Sequence, residues 1–316
     1  MMRRLRTELR DLLELVLLPG LAAVLPWSSC FRIFRALSHW RALYREPCEK
    51  ALAQARKLGW AVREDEWLAT RRLVTMVDHA DYYLVRTRSD AWLKRHFDID
   101  GNWPSCAEAS LLCTFHWGAG MWSLRHAVLA GMKVHALVAP LDGAHFVGRR
   151  VLHWYAKART ALVAQTLGHS TLDVSSSLRP ALRALKNNEQ VLAVLDVPAD
   201  QVSTSQTIRM LGLQARVPKA LLRLAVEQKI PVTIFLVGLR MRDGQRFLRL
   251  RQFEGYSDVD AMVCGVFLEL EHAIAENPAA WHFWGEAERF FELDNKGGGE
   301  SVNDDSRALP SSAGAA

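Results

Sequence analysis

The stretch Leu111-Leu-Cys-Thr-Phe-His116-Trp-Gly118-Ala-Gly120 decides how this chain is read. An apolar run that ends in a histidine and is broken by two glycines has the form of a buried strand turning into a helix. The residues that follow predict an apolar helix to Gly131 and a second strand at Val134–Ala139, closing at Pro140. Residues 145–158 and 178–187 read as helices, and Gln190-Val-Leu-Ala-Val-Leu-Asp196 as a third strand. Pro218 suits the first turn of a helix over 219–229. Pro231–Leu239 reads as a fourth strand. Phe247–Gln252, where apolar residues alternate with Arg, reads as an edge strand, and about 260–276 as a helix. Strands alternating with helices imply an α/β fold with a mostly parallel central sheet flanked by helices.

Upstream, residues 31–97 are rich in Arg, Leu and Trp without β-branched alternation, and read as helical. The first thirty residues differ. Arg3, Arg4, Arg6 and Arg10 precede the thirteen uncharged residues 15–27, and Arg32 and Arg35 follow. Thirteen residues are too few to span a bilayer, which takes about 20. Pro19-Gly20 and Pro26-Trp27 fit a cleaved signal poorly. Residues 1–30 are therefore expected to form a helical membrane-associating segment lying on an anionic leaflet, with an N-terminal core helix as the alternative. Residues 31–293 are expected to form a single α/β domain. The polar, small-residue-rich stretch 294–316 is expected to be a disordered tail.

Half of the 316 residues are apolar and 23% are charged, a balance that excludes a wholly disordered, collagenous or polytopic membrane protein. The net charge is +6. Because the tail carries four acids and two bases, the body carries +8. That excess suits an anionic lipid surface, an acidic partner protein or nucleic acid. Nucleic acid is set aside because the aromatics do not interleave with Lys and Arg along one strand face. Five cysteines without a C-x-x-C pair argue against a disulfide framework and a cysteine-held zinc. No metal or redox cofactor is expected.

His116 stands at the predicted C-terminal end of a strand, the edge at which open α/β sheets bind ligands. A histidine there can take a proton from a hydroxyl. Backbone N–H groups at Gly118–Gly120, where the glycines let a substrate approach, can hold a developing oxyanion. Asp196 ends a strand expected beside that of His116, so its carboxylate is a candidate to orient the imidazole; a strand-end cap or salt bridge is its other reading.

Three blocks give the chain a resemblance to the bacterial lipid A and lysophospholipid acyltransferases of the late acyltransferase type. They are Phe115-His-Trp-Gly-Ala-Gly-Met-Trp122; Val191–Asp196 with Leu211-Gly212 and Arg216-Val-Pro218; and Asn277-Pro-Ala-Ala-Trp281-His-Phe-Trp284. The similarity runs from the N-terminal apolar segment to about Arg289. It implies a transferase of lipid biosynthesis at the cytoplasmic face of the cell inner membrane. His116 would be the general base that moves an acyl group from an acyl carrier protein or acyl-CoA to a lipid or glycolipid hydroxyl. It also makes Arg159 a candidate for oxyanion or phosphate binding. The family signature is His, four residues, then Asp or Glu; here Met121 stands in the acidic position. Ala139 replaces a common Arg before Pro140, and Glu286 and Glu288 occupy positions that tend to be basic. A lipid- or partner-binding member without turnover is thus an alternative. A dinucleotide-binding enzyme is another, on Gly118-x-Gly120 with Asp142 further on, although Ser123 stands at the third glycine position.

Overall fold

In the computed structural model, which describes residues 2–141, 143–173, 178–202 and 204–291, the stretch quoted above lies in the middle of a sheet. The strands in chain order are β1 (Phe97–Asp100), β2 (Ser110–Thr114), β3 (Val134–Val138), β4 (Leu172–Asp173), β5 (Gln190–Val194), β6 (Ser205–Met210), β7 (Leu213–Pro218), β8 (Val232–Leu239) and β9 (Arg246–Phe253). The helices are α1 (Met2–Asp11), α2 (Leu18–Val24), α3 (Trp27–Leu37), α4 (Arg45–Lys57), α5 (Glu64–Thr87), α6 (Asp90–Arg95), α7 (Met121–Leu129), α8 (Arg150–Leu167), α9 (Arg179–Lys186), α10 (Ala220–Gln228) and α11 (Val259–Glu276). A π-helical turn, Leu12–Leu17, joins α1 to α2.

Among the described residues the main sheet has seven strands in the order β1-β9-β8-β2-β5-β3-β4. Only the β8–β9 pair is antiparallel. The central strands β2, β5 and β8 are buried almost throughout, as strands covered on both faces must be, which is why they read as unbroken apolar runs. In β9, Leu248 and Leu250 face the core, while Arg249 and Arg251 reach outward to Glu276 and Asp100.

The alternating Arg of β9 suggested an edge, but β1 pairs along it from Phe97↔Arg246 to Asp100↔Arg249 and is itself the edge. Pro218 ends β7 rather than opening a helix, and α10 starts at Ala220. The helix expected at 145–158 begins at Arg150 and runs on to Leu167. The hairpin β6–β7 turns at Leu211-Gly212, both at positive φ, and forms a second small sheet. The end of the expected domain at 293 and the stretch 294–316 lie outside the described residues.

Residues 2–30 are packed on the body in part. Leu15, Pro19, Ala22 and Trp27 are buried, whereas Leu5, Leu9, Leu17 and Val24 are exposed. Glu8 of α1 accepts hydrogen bonds from the N–H groups of Arg150 and Val151 and so caps α8 (2.6 and 2.9 Å). No helix among the described residues is long and apolar enough to cross a membrane.

Candidate active site

Parallel pairing of β2 with β5, in register from Ser110↔Gln190 to Thr114↔Val194, carries both chains out of the sheet side by side. Two residues beyond the last pair stand His116 and Asp196. The Leu195 N–H still donates to the Thr114 carbonyl (2.9 Å), so the two side chains start from neighbouring backbone. The Nδ1 of His116 lies 2.9 Å from Oδ1 of Asp196, and the His116 main-chain N–H donates to both carboxylate oxygens (2.9 Å each). Trp281 donates its indole N–H to Oδ2 at 2.9 Å.

Asp196 is fully buried, so every acceptor bond it makes replaces a bond to water that folding removed. The His116 side chain is 42% exposed. Its ring edge meets Phe283 with centroids 4.4 Å apart. Since the carboxylate can only accept, Nδ1 carries the proton, and Nε2 is left as a base with no hydrogen-bond partner among the described residues.

The turn after His116 is built by backbone contacts. Gly118 sits at φ +72°, and a Cβ there would lie 2.0 Å from the Val237 carbonyl oxygen. Its N–H donates to Ala280 (3.0 Å), and the next N–H, of Ala119, donates to Val237 (3.1 Å). Gly118 is therefore a residue of close backbone packing, not one of ligand approach, and its N–H is spent. Gly120 is exposed, a Cβ there would meet nothing within 4 Å, and its N–H has no partner among the described residues. It stands at the start of α7, where the first N–H groups of a helix lack intrahelical partners. Met121, the next residue, is 5% exposed and belongs to the core. The carboxylate bonded to His116 comes not from position 121 but from the residues just beyond β5.

Arg159 is held by Asp78, with Nη2 to Oδ1 at 2.6 Å, and stands 3.5 Å from His79 Nδ1, which also bonds the Tyr155 hydroxyl (3.0 Å). Burial alone would raise the Asp78 carboxyl, but Arg159, with His282 and His79 behind it, holds it well below the usual carboxylate range. The structure thus gives Arg159 a carboxylate partner on α5 rather than a contact with His116. His282 lies between the two groups: its N–H donates to the His116 carbonyl (2.7 Å) and its Nε2 to the Gly118 carbonyl (2.7 Å). Burial, reinforced by Arg71, pushes the His282 imidazole down to about 4, so it is neutral at pH 7.

Sequence reasoning brought His116, Asp196 and Gly120 together but gave no role to Trp281, His282, Asp78 or His79. Trp281 and His282 stood in the third block of the resemblance; the spacing that carried the block says nothing of what an indole N–H would touch. Among the described residues no group of three or more His, Cys, Asp or Glu side chains is arranged to hold a metal. No protein-family model matches the chain, and no curated protein gives a significant match.

Proposed function

We propose that the protein is an acyltransferase in which His116 is the general base, oriented by Asp196. It moves a fatty acyl group from an acyl carrier protein or CoA thioester to a hydroxyl of a lipid or glycolipid acceptor. One observation carries the reading: a solvent-facing imidazole at the carboxyl edge of a mostly parallel sheet, with Nδ1 bonded to a fully buried carboxylate and Nε2 left unpaired among the described residues. Histidines held in this manner are bases in hydroxyl chemistry.

The acceptor O–H gives its proton to Nε2 as its oxygen attacks the thioester carbonyl carbon. The C=O electron pair moves to oxygen, and the oxyanion is met by the Gly120 N–H at the mouth of α7. Collapse re-forms C=O, breaks the C–S bond and expels the thiolate, which takes the proton back from the imidazolium. Asp196 stays ionised and stabilises that imidazolium. The exposed leucines of α1 and the adjacent turn, flanked by Arg3, Arg4 and Arg6, support attachment to the anionic cytoplasmic leaflet of the inner membrane.

The test is incubation of the full chain with a radiolabelled acyl thioester and a bacterial lipid extract. Thiol release is followed and the lipids are analysed by mass spectrometry. A labelled lipid is expected, together with a loss of about 10²–10⁴-fold in rate for His116→Ala with unchanged circular dichroism. Thiol release no faster than that of His116→Ala would overturn the reading in favour of a binding protein without turnover.

A further inference from the structure

The carboxylate of Asp196 is itself aimed, and the group that aims it comes from the far end of the chain. Trp281 is fully buried, and its ring is boxed by Trp284, Phe290 and Phe291 at centroid distances of 5.0, 5.6 and 6.3 Å. An indole N–H can only donate, so the 2.9 Å bond to Oδ2 dictates which oxygen faces which partner and leaves Oδ1 for His116.

The segment bearing Trp281 is fixed in turn. Arg71 of α5, a buried guanidinium paired with no carboxylate among the described residues, donates to the carbonyls of Ala279 (3.2 Å), Trp281 (2.6 Å) and His282 (3.0 Å). On its other edge the segment is bonded to the turn through Gly118 N–H to Ala280 and His282 N–H to His116. A desolvated cation held by three carbonyls is costly to build, and here its bonds converge on the backbone that presents one indole.

We infer that Trp281 is a positioning residue for the His116–Asp196 pair, acting through the carboxylate and held in place by Arg71. In its kinetic consequences the inference rests on the acyl-transfer reading; in its geometry it does not. Without the indole bond, Oδ2 keeps only its share of the His116 main-chain N–H, the carboxylate is free to turn about Cβ–Cγ, and the bond that keeps the proton on Nδ1 loosens.

The experiment is a double-mutant cycle joined to proton NMR. Trp281→Phe keeps the aromatic bulk and is expected to lower kcat about 10- to 100-fold with little change in KM, the range for a hydrogen bond to a charged group. In an Asp196→Asn background the same change should cost less than about threefold, because residues acting through one another are not additive. Losses that multiply in the double variant would mean that Trp281 only packs. The NMR arm needs no substrate. The downfield Nδ1–H resonance of His116 should shift or exchange away in Trp281→Phe. Should that variant not fold, the indole N–H resonance of Trp281 should instead move upfield in Asp196→Asn. Resonances that stay in place overturn the inference, and a wild-type chain without acyl transfer whose resonances move as expected overturns only the reaction.

Discussion

Replacing Asp196 by Asn keeps the shape of the side chain and reverses half of its hydrogen-bonding capacity. The carboxylate accepts from three N–H groups: the Trp281 indole, the His116 main chain and His116 Nδ1. An amide offers one oxygen and one NH2. Trp281 and the His116 main chain cannot become acceptors, so the amide oxygen must turn to them and its NH2 must face Nδ1. The imidazole can satisfy that only by moving its proton to Nε2, the atom on which the reaction depends. The base is then lost and the imidazolium loses its counter-charge. We expect kcat to fall roughly 10³–10⁴-fold with KM little changed, about 4–5.5 kcal/mol of transition-state stabilisation. Stability should change much less: one charge-assisted bond, about 1.5–3 kcal/mol, is lost, and the removal of a desolvated charge offsets part of it. The assay is thiol release per folded molecule, with the folded fraction taken from circular dichroism and KM from acceptor titration. An Asp196→Asn protein that melts several degrees lower while each folded molecule keeps the wild-type kcat would refute the argument and leave the carboxylate as a strand-end cap.

Gly118→Ala puts a methyl group 2.0 Å from the Val237 carbonyl oxygen at a backbone conformation that disfavours side chains. A loss of at least about 3 kcal/mol in urea unfolding is expected, and a variant as stable as the parent would show that the turn yields cheaply. Met121→Glu, which restores the acidic residue of the motif, buries a carboxylate at a position only 5% exposed. It should lower stability by about 2 kcal/mol or more without raising kcat, and a gain in rate would return the orienting role to position 121. For pH, burial holds His282 down to about 4 and His79 to about 3, against an ordinary value of 6.5. The unfolded chain therefore binds protons that the folded one refuses. Stability should be full above about pH 6.5 and decline as pH falls towards 4 and below, and His282→Asn should flatten that decline in melting curves taken across the range.

What the sequence made legible follows the physics of burial. Strands β2, β5 and β8 are covered on both faces and so had to be written in apolar residues, and the turn after β2 had to carry a glycine because the backbone of Val237 passes beside it. Pairing across strands leaves weaker marks. The short strand Phe-Asp-Ile-Asp of β1 has three exposed residues and is held by main-chain bonds to β9, so its composition resembles a loop. Residues 205–218 bury only alternate side chains, such as Ile208, Met210, Ala215 and Val217. That alternation, with Leu211-Gly212 between, was the available sign of a hairpin. At the site, His116 and Asp196 were legible because both end apolar runs. Trp281, Arg71 and Asp78 were not, since their contacts join segments 81 to 211 residues apart, and Arg71 spends its guanidinium on carbonyls that no side-chain pattern reports.

Arg246 gives the N-terminal region a different character from that of a tether. It is fully buried in an ion pair with Asp81, and its guanidinium is layered between the rings of Trp27 and Trp122 at 4.1 and 4.0 Å, while the Trp27 indole donates to Gly244 (2.9 Å). Trp27, the last residue of the apolar stretch, is thus mortised against β9, the second strand of the seven-stranded sheet. The N-terminal helices are therefore joined to the sheet by packed side chains and not by a free linker. Removing the first 28 residues would accordingly strip one wall from a buried cation and leave the Asp81 pair open to water.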